Sequence, residues 1–249
     1  MRRLLLFVVL LAVALAVQAP AWLLQRTLAE RTAGLVGMTD ARGTFWNGLA
    51  QLTLLGQPTG GRDVELGTVQ WNLAGIDWQR RALRVEVIQS PGAAAPATFW
   101  LSPGRIDFAG TLLLPGAALA AAPWTAGWRF GGEVALESEG LSWIDGSSSG
   151  TMVASWGGAR LDPPDLTGGF ALGEVIVRSR RDNGVLELTM TNRGGDVDLR
   201  GVASTASGRA TLDVQPGPIA TPAQIAWLQS HTMGRSGTGY SVSVTLPGR

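Results

Sequence analysis

The sequence predicts an all-β fold. The expected form is a mainly antiparallel meander, of a kind that can run long and curved, with an N-terminal transmembrane helix and one short C-terminal helix. Three observations predict it. Thirty-four glycines and thirteen prolines punctuate the 249 residues, which suits many short strands joined by tight turns. Beyond Gly43, apolar and polar residues alternate with period two, as half-buried antiparallel strands require. Behind Arg2 and Arg3, an unbroken apolar run extends from Leu4 to Val17, and no second run of that length follows.

The first element is that apolar run. Gln18 and Pro20 interrupt it, apolar character resumes through Leu24, and the whole approaches the roughly 20 residues of a spanning helix. Two arginines on the short side place residues 1–3 in the cytoplasm and Trp22 near the opposite interface. A cleaved signal peptide is the competing reading, with Ala14-Leu15-Ala16 and Val17-Gln18-Ala19 as small-residue sites. Cutting after Ala19 would set Pro20 beside the scissile bond, which favours the uncleaved anchor. The expected organisation is a cytoplasmic tip at 1–3, an anchor at 4–24, a stalk at 25–42 and a periplasmic β-rich domain at 43–249. The alanine-rich stretch near 115–123 is where two halves of that domain would divide.

Strands follow in order. Leu52 and Leu54 alternate with Gln51 and Thr53; Trp71 and Leu73 repeat the pattern; Leu83, Val85 and Val87 alternate with Arg84 and Glu86. Ile106 and Phe108 flank Asp107, Val134 and Leu136 alternate with glutamates, and Met152, Ala154 and Trp156 form a further strand. Asp182-Asn183-Gly184 separates two alternating runs, and Asn-Gly marks a two-residue hairpin because both central residues need positive φ. Val197 and Leu199, then Ala210, Leu212 and Val214, then Tyr240 to Leu246 complete the meander. One helix interrupts it: Thr221 caps, Pro222 suits the first helical position, Gln224 completes a capping box, and Ile225, Trp227 and Leu228 form its apolar face.

Composition narrows the function. Net charge is +1 and charged residues are 16% of the chain, so no field of one sign favours nucleic acid. The chain has no cysteine, which excludes disulfides and thiolate metal sites. All basic side chains are arginine, a mark of a GC-rich genome. His231 is the single histidine and reads as structural or surface, because a triad or metal site needs orienters or further ligands. Asp196 and Asp198 occupy alternate strand positions and read as solvent-face residues. Asp162 and Asp165 flank two prolines, where aspartate suits a turn. The stretch Gly234 to Gly239, "GRSGTG", lacks the lysine and following helix of a phosphate loop. Arg178, Arg180 and Arg181 cluster near a hairpin tip, either as a solvated turn or as a contact for anionic lipid headgroups. Ten tryptophans against one tyrosine suit core packing with the indole N–H on a backbone carbonyl; carbohydrate or apolar-peptide binding is the alternative. No catalytic, cofactor-binding or metal-ligating residue emerges.

The order of these features, "GTFWNG" after the anchor, then "LGTVQWNLAG", "LRVEVI" and a terminal "TPAQIAWLQSHTMGRSGTGYSVSVTLPG", resembles the protein N component of the bacterial type II secretion system. Gly43, Thr44, Trp46, Asn47 and Gly48 match its first element, Trp71 and Leu73 its second, and Pro222, Leu228 and Gly234 its last. The resemblance implies a Gram-negative inner-membrane protein with a periplasmic β domain, non-enzymatic, without cofactors, in an assembly that exports folded proteins. Its implied partners are other inner-membrane secretion proteins. Glycines at 43 and 48 would turn the chain from stalk to sheet, pinned by Phe45 and Trp46. The alternative is an envelope lipid-handling protein in which the sheet forms an apolar groove, hinted at by the two-sided apolar stretches "LTLLG" and "VIV".

Overall fold

The computed structural model describes residues 18–32, 34–56, 63–90, 92, 95–121, 125, 127–144, 147–182, 184–231, 234–236 and 239–245. Its strands form one antiparallel sheet, β1 (Val36–Gly43), β2 (Asn47–Leu54), β3 (Val64–Asp77), β4 (Ala82–Ser90), β5 (Ala97–Ser102), β6 (Arg105–Pro115), β7 (Arg129–Ile144) and β8 (Ser147–Asp162). The sheet continues through β9 (Phe170–Asp182), β10 (Val185–Arg193), β11 (Val197–Ser204), β12 (Arg209–Pro216), β13 (Gly234–Ser236) and β14 (Gly239–Thr245). Spatial order follows chain order, except that β14 pairs with β12 and β13 lies outermost. At about 4.8 Å between neighbours, the fourteen strands span roughly 60 Å along the curve of the sheet.

A strict meander sorts its turns. The chain enters at Gln18, where Pro20 bridges Thr44 and the Phe45 N–H donates to the Ala19 carbonyl at 2.7 Å. This near end also holds every turn from an odd-numbered strand to the next even-numbered one through β11–β12. The far end holds the returning turns, a 3₁₀ segment at Gly116–Ala121 and helix α2 (Pro222–His231).

Helix α1 (Trp22–Arg31) runs from the near end to the far end. Ala21 is buried at its start, and Leu24 and Leu28 pack on Met38, Ala50, Val69 and Trp71 in the first of two cores. Ala21 and Leu24, expected within the anchor, therefore pack on the sheet instead. Among the described residues no helix is long and apolar enough to cross a membrane; residues 4–17 of the expected anchor lie outside them. The stretch expected as a stalk carries α1 and β1. β1 escaped the periodicity because its ladder is broken between Thr39 and Arg42, with Asp40 at φ 52°. No break separates two halves: β6 and β7 pair from Arg105↔Ile144 to Pro115↔Glu133 across the alanine-rich stretch.

The second core lies under α2 and gathers Phe170, Leu172, Val175, Val197, Leu199, Val214 and Leu228. Gly184 follows the Asn-Gly expectation with φ 79° between β9 and β10. Asn192 ties three strands, donating to the carbonyls of Leu172 at 2.8 Å and Val197 at 2.7 Å while accepting from the Leu199 N–H at 2.7 Å.

Candidate functional site

The sheet's inner face becomes an apolar cleft at the far end. β7 to β12 form its floor, the 3₁₀ segment and α2 its walls, and its volume is about 720 Å³. Every lining residue but His231 is apolar. Alternation explains the lining: Val134 faces Trp156, Trp156 faces Val175, and Val177 faces Ala154 on one side and Met190 on the other. Directly opposed residues share a face, so six strands present one continuous apolar floor.

Aromatic rings shape the walls. Trp128 and Phe170 meet Trp227 edge-on, with ring centres 6.0 and 5.5 Å apart. The Trp156 indole N–H donates to the Gly131 carbonyl at 2.7 Å, and that of Trp227 to Asp165 Oδ1 at 2.9 Å. With their N–H groups spent, these indoles offer only apolar ring surface.

Helix α2 is held over the cleft by a buried polar clip. The capping box forms as the sequence predicts: the Thr221 N–H donates to Gln224 Oε1 at 2.7 Å, and the Gln224 N–H to Thr221 Oγ1 at 3.3 Å. Gln224 is buried, and its Nε2 donates to the Gly169 carbonyl and to Asp196 Oδ2, both at 2.7 Å. Asp196 Oδ2 also accepts from the Ala171 N–H at 2.8 Å. Asp196 therefore sits in the β10–β11 turn holding the helix, and not on the solvent face of a strand; Asp198 is exposed, as expected. The alternation was read correctly from Val197, but the residue before a strand is free to turn inward.

His231 stacks on Trp227 with ring centres 4.2 Å apart, and its Nε2 lies 3.0 Å from Asp165 Oδ2. The Trp227 indole holds the Asp165 carboxyl below the usual carboxylate range; partial desolvation opposes this, and the neighbouring His231 adds to it. The result strengthens a strap between α2 and the β8–β9 loop. Asp162 pairs with Arg160 at 3.0 Å. Among the described residues no group of three or more His, Cys, Asp or Glu gathers. "GRSGTG" supplies β13 and the start of β14.

The "GTFWNG" motif makes the β1–β2 hairpin rather than a stalk-to-sheet corner. Gly43 pairs with Gly48 at φ 92°, the Thr44 N–H donates to the Asn47 carbonyl at 2.8 Å, and the Asn47 N–H to Thr44 Oγ1 at 3.1 Å. Phe45 and Trp46 are only half-buried. The pin is Trp71, 5% exposed, whose indole N–H donates to the Phe45 carbonyl at 3.0 Å. A Cβ on Gly48 would come within 2.5 Å of the Trp71 ring, so motif and tryptophan are matched in shape.

The family model of type II secretion system protein N matches residues 34–240. The chain belongs to the type II secretion system protein N family. Comparison with curated proteins and with solved structures returns no match. The matched span runs from β1 through α2 into β14 and contains both the hairpin motif and the cleft. Family membership links the chain to type II secretion and makes other components of that system its expected partners.

Proposed function

We propose that this chain is a non-catalytic, single-pass inner-membrane component of the type II secretion machinery. Residues 1–3 lie in the cytoplasm, the apolar run before Gln18 anchors the chain, and the sheet stands in the periplasm. There it stabilises the inner-membrane platform or links it outward, for export of folded proteins across a Gram-negative outer membrane. The family match over residues 34–240 carries this reading. The architecture supports it: β1 and β13 are the two edges of the sheet, and an open edge can recruit a partner strand through main-chain hydrogen bonds. The test is affinity purification of the tagged chain from gently solubilised membranes, with platform proteins quantified by mass spectrometry. Co-enrichment of those proteins over an unrelated single-pass control is expected; recovery at control levels would refute the reading.

One observation favours a second reading, lipid handling. The cleft has the volume and apolar lining of a small-ligand site, about 300–1,000 Å³ in general, and its floor is built of strands paired on both sides, so it offers a peptide no open edge. A helix about 10 Å wide would fill it in fewer than two turns. A hydrocarbon chain suits such a space. Phospholipid recovered in stoichiometric amount with gently extracted protein would favour this reading, and none would remove it.

A further inference from the structure

The near end of the sheet carries an uncovered apolar row. Ile76 faces Leu83, Leu83 faces Leu101, Leu101 faces Ile106, and Ile106 faces Trp143. These five residues lie on one face of five consecutive strands, and all but Leu83 are exposed. Beside the row, Trp78 at the β3–β4 tip is 80% exposed. Trp22, at the start of α1, is exposed at the same end. Among the described residues, the exposed tryptophans are these three, Trp22, Trp78 and Trp143. Those at the far end, Trp128, Trp156 and Trp227, are half-buried around the cleft. Tryptophan favours the boundary between hydrocarbon and water, where its ring is buried and its N–H stays wet.

Charge follows the same axis. Arg80, Arg81, Arg178, Arg180 and Arg209 lie at or near the near-end turns; beside them Asp77 pairs with Arg80 at 3.7 Å, Asp182 pairs with Arg180 at 3.9 Å, and Glu187 faces Arg180 in register. Toward the far end lie Asp162, Asp165, Glu174, Asp196 and Asp198, with Arg129, Arg160 and Arg193 among them, so acidic groups outnumber basic ones there. Gln18 starts the described chain at the near end, Ala19 is hydrogen-bonded to Phe45, and the fourteen residues Leu4–Val17 directly before are unbroken apolar sequence. As a helix, that run reaches about 21 Å at 1.5 Å per residue, against a hydrocarbon core of about 30 Å. Were that run the anchor, it would leave no slack between bilayer and domain.

We propose that the near end of the sheet lies on the bilayer surface, with its tryptophans and apolar row among the headgroups and its arginines on anionic phospholipid. The exposed Arg178 and Arg180 thereby have a partner, while Arg181, half-buried, donates to Ser148 Oγ at 2.9 Å; the far-end cleft faces away from the membrane. The proposal rests on the anchored reading above, and the test separates the two.

Because the chain has no cysteine, single labels are unique. The full chain would be reconstituted into vesicles of zwitterionic and anionic phospholipid. It would carry an environment-sensitive fluorophore at Gln79→Cys on the near-end tip, or at Thr167→Cys on the far-end turn. Quenching by lipid-borne nitroxides is expected to be severalfold greater at Gln79→Cys. Adding Trp78→Ser and Trp143→Ser should lower that quenching while circular dichroism stays unchanged. Equal quenching at the two positions, or greater quenching at Thr167→Cys, would overturn the proposal. Alkaline carbonate extraction of the same vesicles reports the anchor independently. A chain that stays in the membrane with Gln79→Cys unquenched sinks the surface contact and leaves the anchor. A chain that washes out after showing near-end quenching sinks the anchor and supports the contact.

Discussion

Replacing Trp71 with alanine should unfold the N-terminal third of the sheet before the rest. Trp71 is 5% exposed and touches the core that α1 covers. Removing a buried tryptophan costs about 3–5 kcal/mol. Part of that loss is the Phe45 carbonyl, left without its donor at 3.0 Å; Trp71→Phe isolates that share and should cost about 1–3 kcal/mol. For a domain near this size, 1 kcal/mol moves the melting temperature by about 2–4 °C, so the alanine variant should melt roughly 6–20 °C lower. The two cores are separate clusters, so the loss should be local. Hydrogen exchange should rise across α1 and β1–β3 while β9–β12 keep their protection. Trp46→Ala, at a half-buried ring, should cost less than Trp71→Ala. A Trp71→Ala protein within about 1 kcal/mol of the parent, or one whose exchange rises equally in both regions, would show that Trp71 does not hold this core.

Other outcomes test the cleft. Gln224→Ala leaves the Gly169 carbonyl without its Nε2 donor and should destabilise by about 1–3 kcal/mol, with α2 losing exchange protection first. Asp165 is held below the usual carboxylate range in the folded chain. Its contribution is therefore present above the unfolded value near 3.9 and lost as pH falls through the lower folded value. Exchange protection of α2 should hold above about pH 4 and fall below it, and Asp165→Asn should abolish that transition. Ala154→Trp places an indole on the cleft floor and should remove binding of an apolar fluorescent probe without altering the circular dichroism spectrum.

Much of this was legible in the sequence because alternation is a direct record of burial on one face. The strands around Leu52, Trp71, Val85, Val134, Met190 and Val214 could be read that way, as could the Asn-Gly hairpin and the Thr221–Gln224 box. β1 was not, since its bulge breaks the period, and neither was β5, whose Ala-Thr-Phe-Trp-Leu core does not alternate. The cleft was less legible still. Val134, Ala154, Val177 and Met190 look like ordinary core residues, and only strand register puts them side by side with nothing above them. Asp196 and Gln224, 28 positions apart, meet at 2.7 Å; no spacing rule reaches across a β11–β12 hairpin. His231 carried no signal of its stacking on Trp227 beyond their separation of four residues on one helix.

The proposed role, action by contact within a secretion machine, is tested in the cell. The most direct measurement is export of a folded substrate in a clean deletion strain, with folded protein quantified separately in periplasm and medium. Accumulation in the periplasm is expected, relieved by the full chain and not by a chain carrying Trp71→Ala. Unchanged export in the deletion strain would contradict that role.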